Sequence, residues 1–110
     1  MATIDGAQGG ACIHVVTLEC RDPEHARQCI QALASYGRPD ALAYRCLSYE
    51  FGLKEGAADT VILVERWHRW EDLDALLIEK VVPALPTYNQ LLKAPFDPAR
   101  STLRINLASN

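Results

Sequence analysis

The feature that most constrains the fold is a change of period inside residues 60–77, TVILVERWHRWEDLDALL. Up to Trp67 the residues are β-branched or apolar in density, as in a buried strand. Beyond it Leu73, Leu76, Leu77 and Val81 recur at i, i+3, i+4 and i+8, the stripe of an amphipathic helix. Glu71, Asp72 and Asp74 place negative charge in the first turn and Lys80 lies near the end, as the helix dipole favours. A strand feeding directly into a helix has one side committed to the sheet and one stripe committed to packing on it. Glu65 and Trp67 lie two apart on the strand half and therefore share a face. A carboxylate beside an indole at a strand–helix junction is the leading candidate site.

The rest of the chain supplies the elements around this unit. Residues 12–19, CIHVVTLE, read as a first strand with His14 on the same face as Val16 and Leu18. Asp22 is a good N-cap and Pro23 suits the first helical position, where a missing N–H costs nothing. Ala26, Cys29, Ile30, Leu33 and Ala34 continue with helical spacing, so residues 23–36 are expected to form a helix with one buried face. Gly37 stands where a helix ends and Pro39 where it cannot continue.

Residues 41–53 then read as a second strand, with Tyr44, Cys46, Ser48 and Glu50 on one face and Arg45, Leu47, Tyr49 and Phe51 on the other. LKEGAAD is a polar turn of hairpin length leading to the third strand at Thr60. A helix is expected over residues 70–82 with Pro83 breaking it, and Pro86 starting a further short turn. Leu85, Tyr88, Leu91 and Leu92 face inward from that turn. Residues 101–108 alternate cleanly, Leu103, Ile105 and Leu107 against Thr102, Arg104 and Asn106, and form the last strand.

The order is β-α-β-β-α-β, an α+β ferredoxin-like arrangement of four antiparallel strands with helices on one face. It occupies residues 12–108 behind a leader, residues 1–11, whose Gly and small polar residues have little to bury. Both faces of the central strands carry apolar residues, so the open face also needs a cover. A second copy of the sheet supplies one, which makes a homodimer the expected state.

Charge and cysteine usage narrow the partners. The net charge of −3 offers no basic footprint for nucleic acid. No apolar run is long enough to cross a bilayer, and the N-terminus lacks the basic and apolar regions of a secretory signal. Cys12, Cys20, Cys29 and Cys46 show no CxxC pair; Cys12 and Cys46 fall in strands and Cys29 on the apolar stripe of a helix, which suits buried free thiols of a cytoplasmic protein.

Two segments carry a family resemblance: Pro39-Asp40-Ala41-Leu42-Ala43-Tyr44, similar to a PGxLxY segment at the second strand, and Glu65-Arg66-Trp67 followed by Glu71 and Leu73, similar to ExW leading into a helix. The chain resembles the antibiotic-biosynthesis mono-oxygenase type of the dimeric α+β barrel proteins over nearly its whole length. The family glycine is Asp40 here. The helix position at which haem-degrading relatives carry an iron-ligating histidine falls on Leu76, or on Leu77 with the alignment shifted by one. Neither is a ligand, so haem is not expected.

The resemblance implies cofactor-free oxygenation of a polycyclic phenol or quinone-type molecule in a dry pocket between sheet and helices. Such chemistry needs a base for the phenol proton and no metal or flavin. His14, Glu65 and Trp67 are the candidate catalytic residues, with His68 as a further possible base. Tyr44, Leu76, Tyr88, Arg104 and Asn106 are the candidate substrate-binding residues. Each has a plainer alternative. Trp67 can be core, Glu65 can pair with Arg66, Arg104 or a partner subunit's arginine, and His14 can be a hydrogen-bonded core residue. A non-catalytic ligand-binding module and an accessory dimer filled by its own side chains are the alternative functions.

Overall fold

The strand–helix unit becomes the middle of the sheet. In the structure, a computed structural model describing residues 12–108, β1 (Cys12–Glu19), β2 (Cys46–Lys54), β3 (Ala57–Trp67) and β4 (Thr102–Asn106) form one sheet. Its spatial order is β2-β3-β1-β4. Every neighbouring pair is antiparallel, which is the ferredoxin-like α+β topology. The leader assigned to residues 1–11 lies outside the described residues.

The start of the first helix is where the sequence places it. The Asp22 carboxylate accepts the His25 backbone N–H at 2.8 Å and Pro23 opens α1 (Pro23–Ala32). Its end is not. The chain passes through a π-turn, Leu33–Gly37, and continues as α2 (Arg38–Ala43). In that turn the Arg38 N–H bonds the Leu33 carbonyl, one residue beyond the α register. The wider loop lets Pro39 enter the helix at a first-turn position, where its lack of an N–H is harmless.

Gly37 is helical, at φ −62°, and does not terminate anything. A Cβ there would collide with the Tyr49 hydroxyl, so glycine permits a close approach of strand to helix. Ala34, expected on the buried stripe, is exposed because the π-turn rotates the stripe. Residues 41–43 accordingly belong to α2 and not to the second strand. Tyr44 caps that helix, and Arg45 takes the left-handed conformation at φ 75° before β2 begins.

The second helical segment repeats the device. α3 (Trp70–Leu76) runs through a π-turn, Leu77–Val81, into α4 (Val82–Asn89), so Pro83 and Pro86 both sit within continuous helix. A short α5 (Pro98–Ser101) precedes β4. A register shift between Cys46 and Ser48 makes Leu47 the extra residue of a bulge. Cys46 and Tyr49 are therefore both buried while Leu47 is exposed, although strict alternation separates them. Between β2 and β3 a two-residue turn, Glu55-Gly56, places Lys54 opposite Ala57, with Gly56 at φ 81°.

The core lies between the sheet and the helix layer. Trp67, Leu73, Val61, Cys20 and Cys29 are its largest fully buried side chains. The four cysteines are buried free thiols, and burial pushes Cys29 and Cys46 up to about 12. On the other face of the sheet Val15 sits between Val64 and Leu103, and Ile13 is paired with Ile105. Val64, Leu103 and Ile105 remain exposed there. Among the described residues no helix is long and apolar enough to cross a membrane.

Candidate active site

Cross-strand register builds the site. β1 sets His14 opposite Glu65 of β3, and β2 sets Tyr49 opposite the same Glu65 from the other side. Arg104 of β4 lies opposite His14. One row of polar side chains thus crosses the helix-facing surface of the sheet.

Within the row, Glu65 Oε1 lies 2.8 Å from His14 Nδ1 and accepts the Trp67 indole N–H at 3.0 Å. His14 and Glu65 are 4% and 5% exposed and Trp67 is fully buried, so water competes little with these bonds. A carboxylate facing Nδ1 favours the tautomer with the proton on Nδ1 and leaves Nε2 as an acceptor. The carboxylate thus finds partners inside the chain in His14 and Trp67, while Arg104 pairs with Asp74.

The row forms part of the floor of a cavity of about 290 Å³ between sheet and helices. His14, Leu63 and Glu65 line its floor; Leu33, Gly37 and Tyr49 line one wall; Leu76, Leu77 and Tyr88 line another. Tyr36, Asp40, Lys80 and Arg104 bring polar groups to its lining. Both π-turns contribute lining residues, so the helical irregularities sit at the cavity. The volume is at the lower end for small-molecule sites, which are characteristically apolar with a few placed polar groups.

Three tyrosines line this space, Tyr36 largely exposed and Tyr49 and Tyr88 more shielded. Burial, reinforced by the charge of Glu65, holds Tyr49 well above the ordinary tyrosine range. Burial raises Tyr88 to about 12. Both remain neutral O–H donors at physiological pH. No hydrogen bond engages the Tyr49 hydroxyl among the described residues.

The structure brings together His14, Glu65, Leu76, Tyr88 and Arg104 around one cavity. It separates the other candidates from it. Trp67 does not line the cavity but backs Glu65 from the core. Tyr44 lies at the surface with its hydroxyl donated to the Glu79 carboxylate, because its segment is helical and not extended. Asn106 accepts the Trp70 indole N–H at 2.6 Å. His68 sits in the turn between β3 and α3, away from the cavity lining. Tyr44 and Trp67 therefore do not plug the interior together.

Arg104 reaches the cavity while paired with Asp74 at 2.7 Å and lying 4.8 Å over the Trp70 ring. Tyr49 and Lys80 are cavity residues that sequence spacing did not single out. For Tyr49 the missing signal is the bulge at Leu47, invisible to strict alternation. Among the described residues no three His, Cys, Asp or Glu side chains converge to hold a metal ion.

Solved structures share this architecture. A conserved protein from Methanosarcina mazei Go1 superposes with a TM-score of 0.73 at 14% identity, over 92% of this chain and 97% of that one. A Chloroflexus aurantiacus J-10-fl protein provisionally named antibiotic biosynthesis monooxygenase gives 0.64 at 18% identity, over 90% and 94%. A monooxygenase from Streptomyces coelicolor, solved with the ligand nanaomycin D, gives 0.64 at 10% identity, over 91% and 88%. No family model matches the sequence, and no curated protein matches it. Identities this low carry the fold alone: the chain has the ferredoxin-like fold found in antibiotic-biosynthesis mono-oxygenase-type proteins.

Proposed function

We propose that this protein is a cofactor-independent mono-oxygenase acting on a small polycyclic phenol or quinone precursor in the cavity between sheet and helices. The observation that carries this is the His14–Glu65 pair at the floor of an apolar cavity, with Nδ1 engaged at 2.8 Å. Nε2 is then the nitrogen left to take a substrate proton.

Removal of that proton converts the substrate to an electron-rich anion that can pass an electron to dioxygen. Superoxide and the substrate radical recombine to a peroxide, and loss of water leaves a carbonyl. A ring methylene and O2 thereby become a ketone and water, with no external reductant. Glu65 orients His14 and stabilises the imidazolium. Leu76, Tyr88 and the other apolar walls exclude water from the anion, and Arg104 offers positive charge at the end of the row. Tyr44 and Asn106, held on other partners, take no part in this mechanism.

The test is oxygen uptake and quinone formation with a panel of naphthols and anthrone. The expected result is turnover that falls by about 100-fold or more in a folded His14→Gln variant. No uptake above the buffer rate across the panel refutes the proposal.

The exposed apolar residues Val64, Leu103 and Ile105 support a homodimer closed through the open sheet face. The four free buried thiols suit the reducing cytoplasm.

A further inference from the structure

We propose that the cavity takes an aromatic acid: a phenolic or quinone-type ring system whose carboxylate, at the end remote from His14, is bound by the Lys80 ammonium. The inference rests on the ligand cavity described above and adds a substrate class and a specificity-determining residue to it.

Three observations carry it. First, Lys80 interrupts an apolar stripe. It shares a helix face with Leu76, Leu77, Val81 and Ala84, and all five line the cavity. Second, this cation is unpaired. Among the described residues Lys80 forms no ion pair. Glu79 beside it accepts the Tyr44 hydroxyl, and Arg104, the other cation in the lining, is held by Asp74. Third, the two ends of the cavity differ in charge and in access to water. His14 and Glu65 are buried at the floor. Lys80 lines the cavity and is also exposed, which places it at the mouth.

An aromatic acid fits this polarity in one orientation. With its carboxylate inward it would lose its hydration and face the Glu65 carboxylate in a poorly solvated space. With its carboxylate outward it meets the ammonium and keeps part of its water. The neutral rings then fill the apolar interior, and the opposite end of the ligand faces His14. Asp40 also lines the cavity, and its like charge directs the carboxylate to the Lys80 side. A ring system without a charge has no such preference for one end. Lys80 thus selects both the ligand and the end that reaches the floor.

The probes are 6-hydroxy-2-naphthoate, with phenol and carboxylate at opposite ends of two fused rings, and its neutral carboxamide. Both are titrated anaerobically by naphthol fluorescence. The carboxylate is expected to bind about 10-fold or more tighter than the carboxamide, a preference that shrinks as salt rises. Lys80→Met, which keeps a good helix former on the stripe, should remove the preference by weakening the carboxylate alone. Lys80→Arg should retain it. Both variants are to be checked for wild-type circular dichroism. Equal affinities for the two probes, or binding of neither, overturns the inference. A preference that survives in a folded Lys80→Met also overturns it, and its loss in Arg104→Gln would then place the anion at Arg104. Oxygen uptake with the naphthol and anthrone panel is measured separately on the wild-type protein. A carboxylate preference without oxygen uptake upholds the inference and overturns the mono-oxygenase proposal; uptake with equal probe affinities does the reverse.

Discussion

Replacing Trp67 by Phe isolates one hydrogen bond at the base of the site. The indole is fully buried and its N–H meets Glu65 Oε1 at 3.0 Å, the same oxygen that faces His14 Nδ1. A hydrogen bond to a charged acceptor contributes about 1.5–3 kcal/mol. The smaller ring also gives up apolar burial worth about 1 kcal/mol. Trp67→Phe is therefore expected to lose about 3 kcal/mol, a large part of the roughly 5–15 kcal/mol available to a domain of this size. Trp67→Ala adds a cavity and is expected to lose about 5 kcal/mol.

Urea unfolding at pH 7, followed by circular dichroism, gives these values. A double-mutant cycle with Glu65→Leu separates packing from the bond. With no carboxylate to meet, the indole N–H is itself an unsatisfied buried donor, so Trp67→Phe costs far less in that background. The coupling expected is about 1.5 kcal/mol or more. Costs that add to within about 0.5 kcal/mol refute the view that Trp67 holds Glu65, and with it the positioning of His14 by this pair.

Gly37→Ala, which would ordinarily stabilise a helix, is expected to destabilise by about 1–3 kcal/mol because its Cβ meets the Tyr49 hydroxyl. Combining it with Tyr49→Phe should recover most of the loss in thermal melts, and equal losses in both backgrounds refute the clash. The Asp22 carboxyl is held below its ordinary value of 3.8, chiefly by the His25 backbone N–H and then by the His25 ring. Its folded form favours the ionised state, so its stabilisation is full above that value and disappears as pH falls through the lowered one. Asp22→Ala should lower the Tm at pH 7 and narrow the gap to wild type in strong acid; a pH-independent gap argues against the cap. Sedimentation should find two 12.2 kDa chains together and Leu103→Glu should give monomers, whereas a monomeric wild type refutes dimerisation through the open face.

Much of this fold is legible in one dimension. Asp22 followed by Pro23 announces a helix start because capping is satisfied by residues within one turn. The period change after Trp67 announces a strand entering a helix, and period two alone places Glu65 with Trp67, and His14 with Val16 and Leu18, on shared faces. The helix ends were not legible. Gly37 and Pro39 carry the local signature of a terminus, yet a π-turn absorbs the proline and the glycine serves a contact with Tyr49, twelve residues further on. For the same reason Tyr44 resembles a strand residue and is a helix cap.

The site itself was decided by tertiary structure. His14 and Glu65 are 51 residues apart, and nothing near either one specifies the other. Strand register sets them opposite, and the bulge at Leu47 turns Tyr49 inward to the same row. The sequence by itself determined the inventory: an imidazole, a carboxylate and an indole on faces destined for burial. Which of them share an oxygen, which open to the cavity and which stay in the core depends on pairings between distant strands and on how closely the helices approach the sheet.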